Sequence, residues 1–269
     1  MVVFEKVKKE DLKKLKDFST EEAKTVHEEL RLKNEGVTLI LYASGKLLLQ
    51  GKPEAVEKVA KELEKKGIGE RVKPESFRKE QGWVIGTDES LKGDTFGGLV
   101  VAGVKANDEL RQKLTELGVA DSKTLEDKEI LVIAENIKRI APCEVKSILP
   151  EEYNKAENVT TLLNKLHGEC AAYLFPGKHV VDKYPGCTVG DIQLEKAESK
   201  YAEVAAASVL ARAAALQQLD FLSAQAGFRL PKGSTHVKLA LFELKERGLD
   251  FSKFVKVGFA NVKEFLPED

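Results

Sequence analysis

The sequence predicts an α/β protein in two parts: a small α+β unit over residues 1–68, a linker over 69–81, and a larger α/β body over 82–269. Three observations predict it. The chain has 269 residues, long for one domain and comfortable for two. Residues 37–67 carry a strand–turn–strand–helix pattern, and beyond Gln81 apolar strand-like runs end on acidic residues and alternate with helical stretches. A 42% hydrophobic and 32% charged composition, with no apolar run near the roughly 18 residues of a membrane span, excludes a disordered chain and a membrane-spanning one. The opening residues do not read as an export signal, so the expected location is cytoplasmic. Cys143, Cys170 and Cys187 form no C-x-x-C pair, which argues against a zinc ribbon or a disulfide framework and leaves buried thiols. Residues 1–80 hold 19 Lys+Arg against 16 Asp+Glu, and the remainder 24 against 28. A slightly basic front thus precedes a slightly acidic body.

In the front part, Ser19 and Thr20 followed by Glu22 read as a helix start, with Ala23, Val26 and Leu30 at helical spacing up to Gly36. Two strands follow, Val37 to Tyr42 and Lys46 to Gly51, joined by Ala43-Ser44-Gly45. Pro53 then opens a helix with Val56, Val59, Ala60 and Leu63 on one face, ending at Gly67. Period-2 alternation puts Val37, Leu39, Leu41, Leu47 and Leu49 on the face that seats the helices. Thr38, Ile40, Tyr42, Lys46, Leu48 and Gln50 form the other face, which is either solvated or used. This run and its helix resemble the strand–turn–strand–helix part of a TATA-box-binding-protein half, whose sheet face lies against nucleic acid. The resemblance implies nucleic-acid contacts from Thr38, Tyr42, Lys46 and Gln50.

In the body, Trp83 to Thr87 reads as a strand running into Asp88-Glu89, followed by a turn-rich segment Ser90-Leu91-Lys92-Gly93-Asp94 and a second apolar run, Leu99 to Val104. Adjacent residues on a regular strand face opposite sides, so for both acids to serve one site the strand must break at Glu89. A helical stretch ends near Phe175-Pro176-Gly177, and His179-Val180-Val181 then delivers Asp182 at a second strand end. Glu198 stands just ahead of an Ala-rich, buried helix, Val204 to Leu219, near its positive end. Four carboxylates gathered closely repel one another unless a divalent cation neutralises them, and Mg2+ or Mn2+ suits an all-oxygen site. Thr124 with Asp127 reads as the cap of a helix through Ile140, and His167-x-x-Cys170 reads as core. Gly93 to Gly98 lacks the Lys-Ser/Thr ending of a P-loop, which argues against a nucleoside triphosphatase.

Gly86-Thr-Asp-Glu-Ser-x-Lys-Gly-Asp94, Ala120-Asp-Ser-Lys123, Val180-Val-Asp182 and Lys196-Ala-Glu-Ser-Lys-Tyr201 before Val204-Ala-Ala-Ala-Ser208 resemble, in this order, the type 2 ribonucleases H. The resemblance implies a ribonuclease H-like mixed sheet flanked by helices, and cleavage of the RNA strand of RNA/DNA hybrids with two Mg2+ or Mn2+ ions. It makes Asp88, Glu89, Asp182 and Glu198 the catalytic and metal-binding carboxylates. It makes Ser122, Lys123 and Lys92 phosphate contacts, and the turn Ser90-Leu91-Lys92-Gly93 the reader of RNA 2′-hydroxyls. Glu198, where ribonuclease HII carries Asp, and the small front domain both resemble the ribonuclease HIII branch. So does Pro231-Lys-Gly-Ser-Thr-His236, where no junction-sensing tyrosine follows the Lys-Gly pair. The implied partner is the hybrid duplex, with no membrane and no obligate protein partner.

One position departs from the family. Leu91 stands where these enzymes usually have glycine, and a Cβ there adds bulk and disfavours positive φ. Two alternatives therefore stand beside hybrid cleavage: a non-hydrolytic hybrid-binding protein whose Leu91 obstructs the substrate, and a ribonuclease HII-like activity at single ribonucleotides in DNA.

Overall fold

The computed structural model describes every residue except 1, 14, 16, 24, 26, 27, 35, 72–79, 120–124 and 267–269, and falls into two compact units, Met1–Ser76 and Phe77–Asp269.

The front unit is a six-stranded antiparallel sheet covered on one face by a helix. Its elements are β1 (Val2–Glu5), α1 (Lys9–Leu12), β2 (Ser19–Glu21), β3 (Glu28–Asn34), β4 (Val37–Tyr42), β5 (Leu47–Gly51), α2 (Pro53–Lys65) and β6 (Glu70–Arg71), with strand order β2-β3-β4-β5-β1-β6. The hairpin β4–β5 turns at Gly45, whose φ of +78° only glycine adopts without strain. Leu39, Leu41, Leu47 and Leu49 are fully buried against Val56, Ala60 and Leu63 of α2. The helix expected through Leu30 is instead strand, β2 and β3. Leu30-Arg31-Leu32-Lys33 alternates strictly, and pairing Leu32 with Leu39 and Leu30 with Leu41 extends the same apolar face. Glu70–Arg71 pairs with β1 as Phe4↔Arg71 and Glu5↔Glu70, so residues 70 and 71, expected in the linker, belong to the front sheet.

The body centres on a five-stranded mixed sheet. Its elements are β7 (Val84–Ser90), β8 (Leu99–Ala106), α3 (Asp108–Glu116), α4 (Asp127–Ile140), β9 (Cys143–Ile148), α5 (Pro150–Tyr153), α6 (Val159–Leu174), β10 (Lys178–Asp182), β11 (Ile192–Leu194), α7 (Ala202–Ala226), α8 (Lys238–Glu246) and α9 (Ala260–Lys263). Strand order is β11-β10-β7-β8-β9; β7, β10 and β11 run parallel, while β8 is antiparallel to both β7 and β9. The buried helix α7 covers one face, packing on Val100, Ala102 and Val104. The other face is covered by α6, which packs Leu163, Leu166 and Cys170 on Leu99 and Val101.

Gly86 lets α7 approach. A Cβ there would stand 2.3 Å from the Glu203 carbonyl carbon and the Val204 nitrogen, so the Gly-Thr-Asp-Glu strand and the N-terminal turn of α7 touch backbone to backbone. Glu203 at this contact is fully buried, and its Oε1 accepts a hydrogen bond from Arg111 Nε of α3 at 2.8 Å. The cap of α4 is Glu126 rather than the expected Thr124, which lies outside the described residues. The Glu126 side chain accepts from the N3 backbone while Glu129 accepts from the Glu126 N–H. Cys143, Cys170 and Cys187 are free thiols; Cys170 is buried and the other two are half-buried. Among the described residues no helix is long and apolar enough to cross a membrane.

Candidate active site

The carboxylates gather at the C-terminal ends of the two central parallel strands. Val180 pairs with Gly86 and Val181 with Thr87, so Asp182 and Asp88, one residue further on, stand abreast. The expected break of β7 at Glu89 does not occur. Asp88, Glu89 and Ser90 continue the ladder opposite Ala102, Val101 and Val100, because the β8 backbone satisfies every residue to the strand's end. Asp88 therefore points to the α7 face, where Ser208 hydrogen-bonds it, and Glu89 points to the α6 face. The Asp88 carboxylate reaches back to accept the Glu89 N–H at 2.8 Å.

Asp182 Oδ1 accepts from the Ala197 N–H at 2.9 Å, which ties it to the 3₁₀ turn Ala197–Ser199 and to Glu198, whose carboxylate it contacts. Burial, then the neighbouring Glu89 and Asp182, push the Asp88 carboxyl up to about 8. Asp182 is likewise raised by burial and by Glu198 and Glu89. Glu89 moves the other way: burial opposes ionisation, but His167 and Lys92 together outweigh it and hold the acid below its usual range.

Glu89 Oε1 accepts from Lys92 Nζ at 2.7 Å, and Glu89 Oε2, buried and lacking a hydrogen bond, lies 3.5 Å from His167 Nε2. Behind it runs a buried chain, of which the sequence singles out His167 alone, as core. His167 Nδ1 is 2.8 Å from Thr87 Oγ1, which is 2.8 Å from His179 Nε2. Burial, then His167, lowers His179 to about 4, so that ring is neutral at physiological pH. The only sequence signal for this chain was period-2 spacing, which places Thr87 on the same strand face as Glu89.

The four expected acids are thus brought to one sheet end, three on the α7 face and Glu89 on the other. Among the described residues, no three His, Cys, Asp or Glu side chains stand close enough together to hold one metal ion; Asp88, Glu89 and Asp182 are each drawn to a separate protein donor. The donor set still fits a hard divalent cation: all ligating atoms are carboxylate oxygens, two of the acids are raised by burial and then by their acidic neighbours, and a buried Glu89 oxygen lacks a hydrogen-bond donor.

Of the expected substrate turn, Ser90 is half-buried, Lys92 folds back onto Glu89, and Gly93 is exposed with open space where a Cβ would stand. Leu91 corrects the obstruction reading. It does adopt the left-handed conformation, φ +67°, but its side chain is only 4% exposed and packs into the body, its Cδ1 2.9 Å from where a Gly97 Cβ would lie. The backbone twist sends the side chain inward, so it offers no bulk to a substrate. Ser122 and Lys123 lie outside the described residues.

In the front unit, Thr38 pairs with Gln50, and Tyr42 shares their face, with Lys46 exposed at the hairpin end. The same face carries Arg31 and Lys33, unread in sequence because a helix was expected there. Arg31 is held by Glu28 at 3.2 Å and Glu21 at 3.4 Å, and Lys33 by Glu21 at 3.0 Å, so the open face is a mixed ionic surface.

A mixed sheet with acids at the ends of its parallel strands, and a buried helix behind them, defines the ribonuclease H class of fold. A family model described as Ribonuclease HII matches residues 85–176. The Streptococcus agalactiae protein named Ribonuclease HIII is 32% identical over 260 residues, covering 86% of each chain. Solved structures agree: Bst-RNase HIII in complex with Mn2+ aligns with a TM-score of 0.64 at 26% identity, covering 98% of this chain and 97% of that one. Aquifex aeolicus RNase H3 aligns with a TM-score of 0.57 at 28% identity, covering 95% and 98%. The chain belongs to the ribonuclease HIII family, endoribonucleases of the ribonuclease H type.

Proposed function

We propose that the protein hydrolyses the RNA strand of RNA/DNA hybrids at Asp88, Glu89, Asp182 and Glu198, with divalent cations as cofactor. The observation that carries this reading is the pair Asp88 and Asp182, abreast on parallel strands and each raised by burial and then by neighbouring acids. A cluster short of positive charge at a sheet end is built to receive cations. Two Mg2+ or Mn2+ ions held by the four carboxylates would supply Lewis acidity for activating water and for stabilising the leaving 3′-oxygen. The Mn2+ complex of the Bst relative supports this cofactor class. The chain's own residues do the positioning: the Ala197 N–H orients Asp182, the Glu89 N–H and Ser208 orient Asp88, and Lys92 with His167 flanks Glu89.

The exposed, unencumbered backbone at Gly93 is where the RNA strand can approach closely, with Ser90 and Lys92 beside it and the Leu91 side chain turned away. The front unit adds duplex affinity through Thr38, Tyr42, Lys46 and Gln50, with Arg31 and Lys33 released from Glu21 and Glu28 to phosphate. Ser122 and Lys123 are further phosphate contacts in this reading.

The test is cleavage of four labelled duplexes, RNA/DNA hybrid, RNA/RNA, DNA/DNA and DNA with a single ribonucleotide, with and without Mg2+ or Mn2+. The expected result is cation-dependent cutting at many positions within the hybrid's RNA. Cation-independent cutting, or cutting confined to the single ribonucleotide, overturns the reading.

A further inference from the structure

Lys256 is a fully buried lysine far from the carboxylates in sequence, and its ammonium is spent entirely on one loop. Nζ donates to the carbonyls of Leu91 at 2.7 Å, Asp94 at 2.5 Å and Gly97 at 3.1 Å. Three donors meet three acceptors, so the hydrogen-bonding capacity of the ammonium is filled. Tyr153 and Phe259 flank it, with ring centroids 5.2 and 5.3 Å from Nζ. Burial lowers this lysine to about 8, with Asp94 opposing, so at neutral pH it remains mostly an ammonium.

The surrounding backbone is tied to the same loop. Phe96 and Val255 form a β-bridge, the Lys256 N–H donates to Thr95 O at 3.1 Å, and the Gly97 N–H donates to Phe254 O at 3.0 Å. Asn261 Nδ2 donates to Thr95 Oγ1 at 2.8 Å and to Ser234 O at 3.1 Å. Residues 254–261 thus form a strap that grips the inner side of the turn following β7. A buried charge is retained only where its partners are well placed, and here every partner is a main-chain carbonyl of that turn. Convergence of three carbonyls on one point fixes the turn's curvature, including the left-handed Leu91 whose carbonyl is the first acceptor.

We propose that Lys256 is a positioning residue for substrate: its ammonium holds the turn Leu91–Gly97 so that Ser90, Lys92 and the bare backbone at Gly93 meet the RNA strand beside Asp88 and Glu89. The inference rests on the reading of this turn as the hybrid-contacting one. Freed of Lys256, Leu91 leaves its left-handed conformation, and the outward backbone shifts relative to the end of β7. Displacement on the order of 1 Å is enough to change productive binding by orders of magnitude.

The experiment compares Lys256→Met, close in shape but without the donors, with Gly93→Leu, which adds a side chain to the open outer surface of the turn. Steady-state hybrid cleavage and thermal midpoint are measured on each full-length protein. The expected result for Lys256→Met is a KM raised by about tenfold or more with kcat changed by less than about threefold. A residue serving stability alone lowers the midpoint and the active fraction, so apparent kcat falls while KM stays put; that pattern overturns the proposal. Gly93→Leu tests the underlying reading, with a similarly raised KM expected. Unchanged KM in Gly93→Leu overturns the turn as a substrate contact and the role of Lys256 with it, whereas a raised KM there with an unchanged KM in Lys256→Met overturns the positioning role alone. If Lys256→Met does not fold, Asn261→Ala loosens the same strap without removing the buried charge; a KM raised at least twofold supports the proposal and an unchanged KM overturns it.

Discussion

The Glu89 N–H donates to the Asp88 carboxylate at 2.8 Å although the two side chains leave β7 on opposite faces of the sheet. This contact shows how neighbouring residues of an unbroken strand reach one site: the site straddles the end of the sheet, and Asp88 bends back toward it. Asp88 is nonetheless buried among other acids, which raises it from 3.8 to about 8. An acid that holds its proton more tightly in the folded state stabilises the fold fully below its unfolded value, and that contribution is lost as pH rises through the folded value. Asp88→Asn removes this dependence. Without divalent cation, the thermal midpoint of the variant relative to wild type should climb as pH rises from about 4 to about 8, while hybrid cleavage is abolished. Parallel midpoint profiles, or near wild-type cleavage, would remove Asp88 from a crowded acidic site.

The chain His167–Thr87–His179 behind Glu89 gives a second prediction. Thr87 Oγ1 lies 2.8 Å from a nitrogen of each ring, so its hydroxyl can donate to one and accept from the other. Thr87→Val keeps the shape and deletes both bonds, leaving two buried ring nitrogens unsatisfied. The expected loss is roughly 1–3 kcal/mol of stability. Because His167 flanks Glu89, kcat for hybrid should fall in the same variant by about tenfold. Chemical denaturation and single-turnover cleavage measure the two effects; a loss of stability with an unchanged rate would confine the chain to the core.

Strand alternation made the hairpin Val37–Gly51, α2, β7, β8 and β10 legible, because each buries a face of regular period. The same rule applied to Leu30-Arg31-Leu32-Lys33 would have found β3. The 3–4 spacing of Ala23, Val26 and Leu30 imitated a helix, and only the pairing with Leu39 and Leu41 decides between the two. The acids at Asp88, Glu89, Asp182 and Glu198 were legible because strand ends and a helix start are visible in sequence. Lys256 was not. One lysine among 43 Lys+Arg carries no mark of burial, and its acceptors lie about 160 residues away along the chain.

The front unit bears on affinity. Removal of residues 1–76 respects the unit boundary, whereas a cut at 80 would also take Glu80, which accepts from the Tyr201 hydroxyl at 2.9 Å and from Arg111 at 3.1 Å. The shortened protein should cleave hybrid at saturating concentration while binding it at least about tenfold more weakly, because a tethered second module raises apparent affinity through effective concentration. Tyr42→Ala with Lys46→Ala in the full chain should reproduce part of that loss. Equal affinity for hybrid with and without residues 1–76 would leave the open face as a solvated surface.

Leu91→Gly separates two opposing local effects. The left-handed backbone costs an L-residue about 1–2 kcal/mol, which glycine would relieve. Against that stands loss of a leucine side chain packed into the core cluster, for which truncation costs about 3–5 kcal/mol. The larger effect wins, and the variant should be less stable by roughly 1–4 kcal/mol. Since the side chain points inward and the turn's outer surface is already bare at Gly93, the rate per folded molecule should not rise. Thermal midpoint and hybrid cleavage measured on one preparation decide the matter. A tenfold faster variant with an unchanged midpoint would mean that the leucine does stand in the path of the RNA.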